Sequence, residues 1–284
     1  MKQDISSVEH FIMDGGSSDG TLDVLKRYPH LRVISQHDDG IYDSLNKGIH
    51  LAQGEVIGFL NTDDLYEQDI FGKVVETFSN HPEIDALVGR ASILHEISTG
   101  NWEIYATFPA ILADELLLRA TQGAPIFNAW FFRRRLFEDI GPFDTHYFYV
   151  ADRDFLIRMA LQHRVYASLD KPFYQYRMHS GSITLSGQDS GEADYMFESR
   201  ILAERYIGKK DIPSANLSYF KTWHSQITAE QIVTAWRKKA MRRIFQYSLV
   251  GLRFNIWGWP GIFIRKVIER FTVLLKGIFS QKNA

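Results

Sequence analysis

The chain has 284 residues, 45% hydrophobic and 23% charged, with a net charge of −2. That is enough for one large or two small buried cores, and the near-neutral balance argues against nucleic acid as a partner. Cysteine is absent, which excludes a disulfide framework and thiolate chemistry and suits a reducing cytoplasm. No apolar run reaches the roughly 20 residues of a spanning helix, and Met1 is followed by Lys-Gln-Asp, which does not read as a secretory leader.

The elements follow in chain order. Residues 8–13 read as a short apolar strand ending at Asp14, and the Gly15-Gly16 turn leads to Asp19, a cap for a helix to about residue 28. Residues 31–35 read as a second strand. Residues 41–51 read as an amphipathic helix, ended by Gly54. Residues 55–60 form a third strand that runs into Asp63 and Asp64, with a helix expected over 65–79. Residues 86–88 start a further strand, and 91–108 read as strands about a Thr99-Gly100-Asn101 turn. Helices are expected over 113–119, 134–140 and 151–162, with an aromatic strand to Phe132 and another over 173–178. After about Gly187 the pattern turns helical. Strand–helix alternation predicts an α/β fold with a mostly parallel sheet flanked by helices, a first unit over 1–187 and a helical extension over 188–284.

Two features carry chemistry. Asp14, Asp38/Asp39 and Asp63/Asp64 lie where successive predicted strands end, and ligands of open α/β sheets collect at that edge. Paired carboxylates delivered there by an apolar strand are costly unless a cation meets them. A hard divalent ion shared with phosphates is the natural occupant, the alternative being a cap on the helix expected from residue 65. The second feature is the C-terminal charge pattern. From Arg237 onward Glu269 is the one acid, among eleven basic residues interleaved with large apolar ones such as Phe245, Trp257 and Phe263. That composition fits a segment lying in a membrane interface; the alternative is a core-packed helix with a solvated basic face.

Five segments resemble family 2 glycosyltransferases of the GT-A fold: Asp14-Gly-Gly-Ser-Ser-Asp-Gly-Thr21, Asp39-Gly-Ile-Tyr-Asp-Ser-Leu-Asn-Lys-Gly48, the run Gly54 to Asp64, the run Phe131 to Asp144, and Ala151-Asp-Arg-Asp-Phe-Leu-Ile-Arg158. The resemblance runs in order to about residue 185. It implies an inverting transfer of a sugar from a nucleotide-diphospho-sugar to a glycan or lipid-linked acceptor, aided by Mg²⁺ or Mn²⁺. Surface polysaccharide biosynthesis at the cytoplasmic face of the membrane, with the chain held peripherally, is the setting it suggests. Asp64 and His179 are the implied metal ligands. Asp14, Asp39, Asn46, Lys47, Asn61, Asp63 and Arg177 are the implied nucleotide-sugar contacts, and Asp152 is the implied general base. Residues 122–128 are expected along the acceptor pocket.

The sequence also departs from the family. Asn61 stands where an Asp is frequent, Leu45 where many members have Arg, and Ala151 where a Glu precedes the Asp. The residues before Ser7 look like the tail of the family's first helix, so its first strand is expected upstream of Met1. The competing expectation is a truncated, catalytically inactive paralogue that acts as a binding or membrane-associated module.

Overall fold

A computed structural model describes residues 8–112, 114–178 and 189–269. The expectations for the segment before Ser7 and for His179 lie outside the described residues. The chain divides into two compact units, Met1–Ser186 and Gly187–Ala284.

In the first unit, β1 (His10–Asp14) pairs in parallel with β2 (Leu31–Ser35), bracketing α1 (Thr21–Leu25). The helix α2 (Ile41–Leu51) follows. The remaining strands form a second sheet: β3 (Val56–Gly58), β4 (Leu65–Tyr66), β5 (Ala86–Ser98), β6 (Asn101–Phe108), β7 (Trp130–Arg133) and β8 (Tyr166–Met178). Its order is β3-β7-β5-β8-β4, with β6 hairpinned onto β5. The helices are α3 (Ile70–Asn80), α4 (Leu116–Gln122), α5 (Arg134–Ile140) and α6 (Ala151–Leu161).

The α/β expectation holds, but the sheet is more mixed than alternation implies. Among the described strands only β1–β2 and β5–β8 are parallel; β3–β7, β5–β7, β4–β8 and β5–β6 are antiparallel. Local periodicity cannot see this, because strand direction depends on which distant strand supplies the hydrogen bonds. The helix expected over 65–79 is corrected too. Leu65 and Tyr66 pair with Gln175 and Tyr174 of β8, and the helix starts at Ile70. From there Ile70, Val74 and Phe78, at helical spacing, bury one stripe against the sheet.

The core explains why β5 reads as a nearly continuous apolar run. Ala86, Leu87, Val88, Ala91 and Ile93 are all buried, as expected for a strand covered on both faces. Across it Gly89 faces Phe173, and a Cβ there would lie 2.1 Å from the ring. Gly89→Ala is therefore expected to destabilise the first unit by about 1–3 kcal/mol through overpacking, read as a lower urea midpoint at unchanged slope. A second layer of aromatics lies at the end of β3. Phe59, Phe127, Phe132, Phe137, Phe143 and Phe155 sit with ring centroids 4.7–6.3 Å apart, stacked or edge-on.

In the second unit α7 (Asp189–Gly208), α8 (Ser214–Arg237) and α9 (Met241–Phe254) are followed by a helical stretch over 259–269. Tyr206 of α7 stacks on Phe220 of α8 at 4.8 Å. Glu204 bonds buried His224 across the same pair of helices, at 3.2 Å.

Candidate active site

The loops that follow β1 and β2 meet. Asp14 ends β1 and is buried, with its carboxylate turned into the chain. Oδ2 accepts the Gly16 N–H (3.1 Å), the Ser17 N–H (3.0 Å) and the Ser35 hydroxyl (2.6 Å), and Oδ1 accepts the Ser17 hydroxyl (2.5 Å). The Ser17 and Ser35 hydroxyls, foremost, hold its pKa down to about 2. Asp14 is thus an ionised clamp between β1, its turn and β2 at neutral pH, and among the described residues Oδ1 accepts from the Ser17 hydroxyl alone. Asp38 of the β2 loop approaches Gly15, where a Cβ would stand 3.0 Å from its carboxylate. Asp38 accepts the Gly40 N–H, while the exposed Asp39 donates its own N–H to Asp43.

Two expected nucleotide contacts on α2 are engaged with the chain itself. Asn46 makes a two-way clamp on the Phe143 backbone, donating to its carbonyl and accepting its N–H at 2.9 Å each. In the protein alone it thereby staples α2 to the loop that leads into α6, and its second amide N–H is not used by that clamp. Lys47 pairs with Asp43 at 2.7 Å and donates to the His37 carbonyl at 3.1 Å, which braces the β2 loop.

Asp63 and Asp64 follow β3, and they do not cap a helix, since the next helix begins at Ile70. Asp64 is almost wholly buried, 3% exposed. Its Oδ2 accepts the Tyr174 hydroxyl (2.5 Å) and the Asn61 amide (3.1 Å), and its Oδ1 accepts the Arg177 N–H (2.7 Å). Tyr174 accepts in turn from Asn128 at 2.7 Å. Burial pushes the Asp64 carboxyl up, against the pull of these donors. Among the described residues no basic side chain forms an ion pair with it. The Arg177 guanidinium donates instead to the Asp63 carbonyl and lies over the Trp102 ring, 5.4 Å from its centroid. Asn61, Asp63, Asp64 and Arg177 are thereby gathered into one cluster.

The chemistry of this cluster fits a hard divalent ion of one kind. Among the described residues no three His, Cys, Asp or Glu side chains converge, so those residues do not by themselves form a cage. The Asp64 Oδ1 retains a lone pair. One or two carboxylates completed by phosphate oxygens and water is the way Mg²⁺ is commonly held. Asp64, with Asp63 beside it, is the pair that would hold such an ion.

Asp152 lies in the first turn of α6. Its carboxylate accepts the Arg153 N–H (2.7 Å) and the Tyr42 hydroxyl. Desolvation raises its pKa, offset in part by the Arg153 charge. The Arg153 guanidinium ties α6 to the end of α4 through the Ala120 (2.7 Å) and Gly123 (3.2 Å) carbonyls. Asp154, the other acid of that turn, is committed to a buried pair with Arg158 at 2.8 Å, and Arg158 also holds the Gly141 and Pro142 carbonyls. Tyr42 packs on Phe143 (5.3 Å) and Phe143 on Phe59 (5.6 Å), so a run of contacts links Asp152 to the end of β3. Sequence reasoning missed Tyr42, Trp102 and Tyr174; nothing in the local pattern marks them, because their partners lie far away in the chain.

Residues 1–141 match the profile described as Glycosyl transferase family 2. The chain carries a family 2 glycosyltransferase domain. It is 34% identical over 163 residues to the PGL/p-HBAD biosynthesis glycosyltransferase of Mycobacterium tuberculosis, a match that covers 55% of this chain and 60% of that protein. It is 25% identical over 257 residues to the putative glycosyltransferase EpsH of Bacillus subtilis, covering 86% of this chain and 73% of that one. The chain thus spans about 60% of the length of the mycobacterial relatives. Among solved structures, S. aureus TarS (residues 1–349, with UDP-GlcNAc) superposes with a TM-score of 0.56 at 18% identity, over 82% of this chain and 66% of that one. The mannosyltransferase PcManGT of Pyrobaculum calidifontis, with GDP-Man and Mn²⁺, gives 0.50 at 14% identity, over 92% and 77%. These likenesses establish the GT-A glycosyltransferase fold for the family 2 domain.

Proposed function

We propose that the protein is an inverting glycosyltransferase that moves a sugar from a nucleotide-diphospho-sugar to a glycan or lipid-linked acceptor. The observation that carries this reading is the buried Asp64 carboxylate, fixed by Tyr174, Asn61 and the Arg177 N–H beyond the end of β3, where its neighbour Asp63 and the Arg177 guanidinium cluster with it. The site's chemistry follows from these parts. Asp63 and Asp64 would hold a divalent ion, whose charge would neutralise the departing diphosphate. Arg177, held over Trp102, adds a fixed cation for a phosphate oxygen, and the Asp14 Oδ1 is suited to accept from an N–H or hydroxyl of the nucleoside. Asp39 and Lys47 border the β2 loop and frame the same ligand; His179 completes the ligand set implied by the family resemblance. Asp152 accepts the acceptor hydroxyl's proton as that oxygen attacks the anomeric carbon opposite the leaving group. Tyr42, bonded to the Asp152 carboxylate, orients it.

A relative named as a biosynthesis glycosyltransferase supports a place in surface polysaccharide synthesis, and the acid-poor C-terminal segment favours work at the cytoplasmic face of a membrane. No helix among the described residues is long and apolar enough to cross one. A second, binding-only reading is favoured by one observation. Among the described strands β1 pairs with β2 alone and β3 with β7 alone, so no backbone ladder joins the two sheets.

The test is release of nucleoside diphosphate from UDP- and GDP-sugars by the full chain, with and without EDTA. Release that needs the metal and rises with a glycolipid acceptor is the expected result. Nucleotide binding with no release from any donor would favour the binding-only reading.

A further inference from the structure

Among the described residues of the second unit one helix face is left exposed, and its chemistry specifies what covers it. The opposite face of α9 is fixed by α8. Gly251 lies so close to Trp259 that a Cβ would fall 2.0 Å from the indole nitrogen, and that nitrogen donates to Thr228 of α8 at 2.9 Å. Asn255 donates to Ser225 at 2.9 Å, and Phe254 packs on His224 at 4.6 Å. With that side anchored, Met241, Phe245, Leu249 and Leu252, at the spacing of one helical stripe, point outward. Met241 is 70% exposed and Phe245 67%, and the turn that follows adds Ile256 and Trp257, the latter 94% exposed.

Beside this stripe stand Arg242 and Arg253, both exposed, and α9 contains no acid at all. We propose that this face is a docking surface for an anionic lipid bilayer, with the apolar stripe and Trp257 seated at the headgroup boundary and the arginines on lipid phosphates. A stripe of apolar side chains and an amphipathic Trp, bordered by cations, is the composition that partitions into such an interface. A second copy of the chain is the poorer occupant. A twofold contact would set this acid-free, basic helix against itself, with like charges opposed and no carboxylates to meet them. The proposal stands apart from the transfer chemistry, since none of these residues belongs to the active site.

The experiment is sedimentation of the full chain with vesicles of phosphatidylcholine alone and of phosphatidylcholine with phosphatidylglycerol. Retention by the anionic vesicles, weakened by salt, is expected. Exchanging Arg242→Gln together with Arg253→Gln should lower the partition coefficient by about thirtyfold, roughly fivefold for each charge removed at an anionic surface. Phe245→Ser with Trp257→Ser should lower it by more than about tenfold, given the apolar area withdrawn. Both arginines are exposed, so their double variant decides the matter even if the serine variant melts early. Nucleoside diphosphate release in solution should stay at the wild-type level in both variants, which separates this proposal from the transferase reading. Equal or absent retention by the two kinds of vesicle, or dimers in light scattering that Phe245→Ser abolishes, would overturn it.

Discussion

Asp152→Asn is expected to lower sugar transfer by about 10²–10⁴-fold, the usual worth of a positioned general base, without lowering the melting temperature. The substitution keeps the shape and keeps an acceptor for the Arg153 N–H and the Tyr42 hydroxyl. It also removes a charge that burial disfavours. A carboxyl with a raised folded-state pKa costs stability once pH exceeds its unfolded value, so the neutral amide folds at least as well at pH 7. The same shift sets the pH profile. The base must be ionised, so the wild-type rate falls as pH drops through the raised pKa, and the acidic limb should lie above the ordinary carboxylate range of about 4. Tyr42→Phe withdraws a donor to the ionised form and should move that limb further up. A profile with its acidic limb near pH 4, unmoved by Tyr42→Phe, would remove Asp152 from the role.

Asp64→Ala is expected to abolish transfer and to destabilise the first unit as well. Truncation leaves the Tyr174 hydroxyl and the Arg177 N–H without their acceptor, at about 1–3 kcal/mol for each buried donor stranded. The expected drop in melting temperature is several degrees for a unit of this size. Asp63→Ala separates the two effects. Its carbonyl, the group that Arg177 holds, survives the substitution. This variant should therefore keep the Arg177 contact and the Asp64 network while losing donor affinity, measured as KM for the nucleotide sugar. If Asp64→Ala melted like wild type and kept its activity, the buried network would have no part in binding or in folding.

Much of the frame is legible in the sequence where the signal is local. The bounds of β2, α2 and α5 coincide with their patterns of apolar spacing. Errors gather where a distant strand decides. Leu65 and Tyr66 look like the first apolar positions of a helix, yet they are spent on β8, more than a hundred residues on, and Asp69 turns the chain through a left-handed conformation (φ 57°) before α3 starts. The site follows the same rule. The acids were visible because carboxylates at strand ends are conspicuous and because ordered motifs surround them. Their supports were not. Tyr174 reads as one more aromatic in a strand and Asn128 as a loop residue, and their link to Asp64 spans separations of 110 and 46 residues. Asn46 adds a role the motif did not reveal: its amide also clamps the Phe143 backbone, nearly a hundred residues away.

The central claim is that the Asp63–Asp64 cluster grips a nucleoside diphosphate through a divalent ion, and calorimetric titration of UDP and GDP into the full chain tests it most directly. With Mn²⁺ present, at least one nucleotide should bind with measurable heat, EDTA should abolish the signal, and Asp63→Ala, which leaves the Asp64 network in place, should weaken it by tenfold or more, the equivalent of about 1.4 kcal/mol. Binding that ignores both EDTA and Asp63→Ala, or no binding of either nucleotide, would contradict the account.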